Sequence, residues 1–176
     1  SPDKAKGELE KVGLKDLDND GFYEDEKGND VTLKLITNSY NLSRLKTADM
    51  IVKNLNDIGL KVIKYYPEDV PENLTEDLIE KQWTEVKEKI LGNDYDIALL
   101  GWSLSPVPEL TFAFHSSRIN SNTNFIKYSN EVMDNALLEA SKASSKQEKL
   151  KAYEKLQGII LKELPYVSLF FRNTAL

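Results

Sequence analysis

Hydrophobic and polar positions along the chain follow two periods, and the changes of period predict most of its elements. Residues 31–37 alternate and are rich in β-branched side chains, which predicts a strand. Ser43 is a candidate cap for a helix to Ile58, in which Leu45, Ala48, Ile51, Val52, Leu55 and Ile58 mark one face before Gly59. Residues 60–66 read as the next strand. A β-α-β order with short connections favours parallel pairing through a right-handed crossover. After the proline-containing stretch 67–73, Thr75 opens a charged helix to Leu91, with Leu78, Ile79, Trp83, Val86 and Ile90 as its stripe. Residues 96–102 are a nearly continuous apolar run, as in a strand covered on both faces, and are expected at the centre of the sheet.

Ahead of this core, residues 3–12 have helix-forming composition, with Leu9 and Val12 at helical spacing and Gly13 placed to end the turn. The loop 15–30 holds five Asp, two Asn, two Glu and two Gly, too polar for an interior. Downstream, helices are predicted over 131–143 and 146–163, and an apolar strand over 166–171 after Pro165. The expectation is an α/β layer architecture with a central, mainly parallel sheet flanked by helices. A length of 176 residues suits one domain spanning 1–176.

Charge and composition narrow the function classes. Twenty-three basic against twenty-nine acidic residues give a net charge of -6, unfavourable for a phosphate backbone, and the basic residues alternate with acidic ones. No nucleic-acid partner is expected. There is no cysteine, which removes disulfides, thiolate metal sites and a thiol nucleophile. No run of about 18 apolar residues occurs, as a spanning helix would need. A Gly-rich phosphate loop and a Gly-x-Ser-x-Gly elbow are both missing, so neither an enzyme nor a cofactor is expected.

Several segments, taken in order, resemble the second half of the bacterial solute-binding proteins of family 5, the peptide/nickel group serving ABC-type importers. They are residues 2–13 before the acidic Asp16-Leu17-Asp18-Asn19-Asp20-Gly21; the strand to Asn38; the joint Ile58-Gly59-Leu60-Lys61-Val62; residues 94–104; Phe114-His115-Ser116-Ser117; Asn124-Phe125; Tyr128-Ser129-Asn130; and Leu164-Pro165-Tyr166. The resemblance implies the C-terminal lobe of a two-lobed, periplasmic-binding-protein-like molecule. It would capture a solute outside the cytoplasmic membrane and pass it to the permease subunits. The last strand, about 166–171, would lead back toward an N-terminal lobe, with a lipid anchor upstream.

The candidate binding residues follow from the sheet rule and the resemblance together. Trp102 ends the predicted third strand, and open α/β sheets bind ligands outside the carboxyl ends of their strands. A rigid indole there suits a pocket wall, or equally a packed hinge. Ser103, Leu104, Ser105 and Glu109 follow in a loop expected to line the cleft. In peptide-binding relatives a carboxylate three residues after this Trp meets the peptide amine; here that residue is Ser105, and Glu109 is the remaining acid. Glu109 also suits a helix start. His115 is the single histidine, too few donors for a transition-metal centre, and is either a cleft wall or a local hydrogen-bonding group. Asn122, Asn124 and Tyr128 suit neutral hydrogen bonding or turn formation. Arg172 suits a carboxylate or a surface role.

The acidic loop has calcium-loop spacing, with Asp16, Asp18 and Asp20 first, third and fifth and Gly21 at the turn, but Lys27 stands twelfth, where the bidentate Glu belongs. A solvated turn without metal is therefore expected. The functional expectation is capture of a peptide or related metabolite by cleft closure, the alternative being a ligand-sensing regulatory module on the same fold.

Overall fold

The computed structural model describes residues 1–67, 70–102, 109–121 and 123–170. Two compact units divide the chain, Ser1–Trp102 and Ser103–Leu176. The first holds helix α1 (Pro2–Lys11), strand β1 (Thr32–Ile36), helix α2 (Leu42–Asn56), strand β2 (Lys61–Lys64), helix α3 (Glu76–Leu91) and strand β3 (Ile97–Ala98). The second holds α4 (Thr111–Phe114), a 3₁₀ turn (Ser116–Arg118), α5 (Glu131–Lys142) and α6 (Lys146–Glu163).

In the first unit the three strands run parallel in the order β2-β1-β3, with Thr32 opposite Lys61 and Leu35 opposite Ile97. The apolar face of α2 closes on this sheet: Leu45, Ala48 and Val52 pack with Leu35, Val62 and Tyr66. Asn41, rather than Ser43, caps α2, its side chain accepting from the Arg44 amide at 3.0 Å. Thr75 caps α3 as its sequence position predicts.

The run 96–102 departs from expectation. Only Ile97 and Ala98 form a strand, and it is the edge of the described sheet; β1 is the centre, with Leu35 and Ile36 wholly buried. An apolar run reports that faces are covered and says nothing about how many neighbours a strand has. Asp94 and Asp96, which flank β3, hold its register. Asp96 accepts from the Lys34 amide at 2.7 Å, and Asp94 takes the Lys34 ammonium and, at 2.8 Å, the Tyr65 hydroxyl. The Lys34 hydrogen bond, then that of Tyr65, pulls the Asp94 carboxyl below its ordinary range.

The loop 15–30 is also less solvated than its composition suggests. Tyr23 and Glu24 are buried, and Glu24 forms antiparallel bridges with Lys15 and Asp30. Gly59 permits this packing: it sits at φ +91°, and a Cβ there would lie 2.8 Å from the Tyr23 ring.

In the second unit, α5 and α6 pack through Met133, Ala136, Leu137 and Leu156, with Phe114 of α4 set edge-on to Tyr128 and Tyr166. A capping box of Ser145 and Glu148 starts α6. No strand is assigned over residues 166–170, where Val167, Leu169 and Phe170 are exposed. Apolar alternation produces a strand only where a neighbouring ladder accepts it, and the described residues supply none.

Candidate functional site

Parallel strands deliver their carboxyl ends to one edge, and in the first unit that edge is built by the residues after β1 and β3. Thr37 continues β1 and donates from Oγ1 to the Leu99 carbonyl at 2.8 Å, which pins the two chain ends side by side. Next come Asn38 and Ser39, both essentially fully buried, and then the first turn of α2. Ser39 donates its amide to the Gln82 side chain of α3 at 3.2 Å.

Arg44, in the first turn of α2, reaches back across this edge. Its Nη1 donates to Asn38 Oδ1 at 2.9 Å. Its other terminal nitrogen lies against the backbone at Gly101, where an added Cβ would stand 2.7 Å from it. A side chain there would push the end of the Arg44 side chain aside. Trp102 follows immediately and is 42% exposed.

Two buried polar atoms stand out at this edge. Asn38 Nδ2 and Ser39 Oγ have no hydrogen-bond partner among the described residues. Buried polar groups in folded proteins are paired in the large majority, so these two atoms, one of them on the asparagine that Arg44 holds, are unusual. The arginine's planar fork suits carboxylate or carbonyl oxygens, and the N-terminus of the 15-residue α2 favours negative charge in the same place.

The remaining predicted site residues sort differently. Ser103, Leu104 and Ser105 lie outside the described residues, as do Asn122 and Arg172. Glu109 is exposed and accepts from the Thr111 amide at 2.7 Å, the helix-start arrangement that its position also suited. His115 Nδ1 accepts from the Ser117 amide at 3.1 Å and lies 3.9 Å from Asp134, which itself holds the Ser116 amide and hydroxyl. Asn124 is 1% exposed, and its amide is engaged with backbone: Nδ2 donates to the carbonyls of His115 and Tyr128, and Oδ1 accepts from the Tyr128 amide. That geometry clamps a loop.

Asn38, Ser39, Arg44 and Gly101 were not singled out from sequence. The rule that drew attention to Trp102 applies equally to the residues after β1, and following it there would have found Asn38 and Ser39.

Comparison with known proteins gives the family. The profile of the bacterial extracellular solute-binding proteins, family 5 Middle, matches residues 1–124. The chain belongs to this family. This family 5 chain is 31% identical over 170 residues to the oligopeptide-binding protein AppA of Bacillus subtilis, covering 97% of the chain and 29% of AppA. It is 28% identical over 176 residues to the peptide transport periplasmic protein SapA of Salmonella typhimurium, covering 96% and 27%. The solved structure of Bacillus subtilis AppA in complex with a nonapeptide superposes with a TM-score of 0.75 at 29% identity, over 93% of the chain and 30% of AppA. The chain thus spans less than a third of the length of these relatives, and within that span the α/β fold is that of periplasmic binding proteins.

Proposed function

We propose that this chain is one lobe of an extracytoplasmic solute-binding protein that captures a peptide or related metabolite and delivers it to an ABC-type permease by closure of two lobes. The observation that carries the reading is the edge formed by Asn38, Arg44, Gly101 and Trp102. It offers a cation and an exposed indole at the carboxyl ends of parallel strands. Such a set holds an extended chain's carbonyl or carboxylate oxygens through charge-assisted hydrogen bonds and an apolar side chain against the ring.

The absence of acid at Ser105 and the presence of Arg44 point the same way: this lobe recognises acceptor groups of the solute in preference to its amine. The N-terminal lobe supplies the opposite wall of the cleft. Closure follows from tighter binding of the solute to the closed state and requires no chemistry. An upstream lipid anchor holds the protein at the membrane surface. The names of AppA and SapA, which refer to oligopeptide binding and peptide transport, support the choice of solute class.

The test is a thermal-shift screen of the full-length protein against peptides, amino acids, sugars and nickel complexes, repeated with Gly101→Ala. Peptides should raise the melting temperature of the parent by more than that of the variant, because an added Cβ pushes the Arg44 guanidinium aside. A shift with sugars or nickel complexes alone would defeat the solute assignment. Equal peptide response in the variant would defeat the site.

A further inference from the structure

The acidic loop between α1 and β1 has a feature that its sequence spacing conceals. Asp16, Asp18, Asp20 and Glu24 each bring one carboxylate oxygen to a common point, all within 4.8 Å of one another. Oxygens bound to one calcium ion at about 2.4 Å are at most about 4.8 Å apart, so the four are close enough to share one ion. The three aspartates are exposed, whereas Glu24 is only 4% exposed.

Glu24 gives the cluster its meaning. Its Oε2 accepts from the Leu17 amide, but its Oε1 is buried with no hydrogen-bond partner among the described residues. A carboxylate oxygen removed from water and left without a donor is costly, and more so beside three further carboxylates. No ion pair among the described residues involves any of the four. Lys61, the base that feels Asp20 and Asp18 at longer range, is paired with Asp30. What the cluster lacks is a cation.

We infer that Asp16, Asp18, Asp20 and Glu24 form a calcium-binding site, with Glu24 supplying the buried carboxylate that the twelfth position, Lys27, does not. Lys27 is exposed, carried outward by a separate turn in which Asp25 accepts from the amides of Lys27 and Asn29. Within the loop, Asp16 accepts from the Gly21 amide at 3.1 Å and Asp20 from the Phe22 amide at 2.9 Å, and Gly21 takes φ +96° at the sharp turn. Phe22 stands at the seventh position, from which such loops add a backbone carbonyl. Oxygen-only donors and an irregular loop favour calcium over magnesium, which demands near-octahedral geometry and keeps its waters.

The ion would fasten the loop to the sheet. Tyr23, between Phe22 and Glu24, donates its amide to the Gly59 carbonyl and accepts from the Val31 amide, so the site's backbone runs directly into the α2–β2 joint and the start of β1. This role is independent of solute capture.

The experiment strips the protein with a chelator and then follows calcium by calorimetry and thermal melting, with magnesium in parallel and with Asp18→Asn and Glu24→Gln variants. One calcium should bind per chain with a dissociation constant of about 0.1–1 mM, the range of extracellular modules, and raise the melting temperature. Asp18 is exposed, so Asp18→Asn should melt with the parent in chelator yet bind calcium at least about ten-fold more weakly. Glu24→Gln should lose the calcium-dependent rise. No heat and no shift at about 10 mM calcium, parent affinity in Asp18→Asn, or an equal response to magnesium would each overturn the assignment.

Discussion

Two asparagines, one in each compact unit, are buried to the same degree and behave oppositely. Asn38 and Asn124 are both 1% exposed. The amide of Asn124 makes three hydrogen bonds to backbone and closes the loop ahead of α5. That of Asn38 accepts one bond from Arg44 while its Nδ2 faces no partner among the described residues. Equal burial therefore hides unequal hydrogen bonding: the Asn124 amide fastens its own loop, whereas Asn38 is held through a single bond to a cation.

The largest expected effect breaks the saturated side. Asn124→Ala removes three bonds in a buried setting and should cost about 3 kcal/mol, read as a lower urea midpoint. Solute affinity of the protein that remains folded should not change. Arg44→Ala should give the reverse pattern: binding of the solute weaker by about ten-fold or more, a loss of about 1.4 kcal/mol, with a smaller fall in stability than Asn124→Ala because one buried acceptor, Asn38 Oδ1, loses its partner. Arg44→Lys should recover little of it, because an ammonium does not reproduce the fork that spans Asn38 and the Gly101 backbone.

Acid sharpens the comparison from the saturated side. Glu148 accepts from the amides of Ser145 and Ser144, which hold its carboxyl down from 4.5 to about 2. A folded-state value below the unfolded one means stabilisation that is complete above about pH 4.5 and disappears as pH falls toward about 2. The stability difference between the parent and Glu148→Gln, measured by denaturant titration across pH, should therefore be constant near neutrality and close over that window. The smallest effect belongs to neither asparagine: Lys11→Ala, which breaks an exposed pair with Glu8, should alter stability by less than about 0.5 kcal/mol.

Much of the fold was legible because its elements carry local signals. Thr75 announces the start of α3, and the stripes of α2 and α3 contain the residues that are buried, Leu45, Ala48 and Val52 in one and Val86 and Ile90 in the other. The parallel pairing of β1 with β2 followed from their short helical connection. Sheet order was not legible, because the apolarity of 97–100 is compatible with either a central or an edge strand. Nor was the region after Pro165, where whether an apolar segment becomes a strand depends on a neighbouring ladder.

The candidate site was half legible. Trp102 was found from its position after β3, and the same rule applied after β1 leads to Asn38, but Arg44 is brought to Asn38 and Gly101 only by the first turn of α2. Sequence spacing holds no trace of that approach. In the acidic loop the spacing of Asp16, Asp18 and Asp20 was visible, but only folding reveals that Glu24 turns inward beside them.

Hydrogen exchange of the full-length protein, with and without a bound peptide, examines the central assignment most directly, since it reads both asparagine regions in one experiment. Added protection over residues 38–44 and 99–102, with residues 124–128 unchanged, is the expected result. Peptide binding verified by thermal shift but leaving exchange over 38–44 and 99–102 untouched would contradict it.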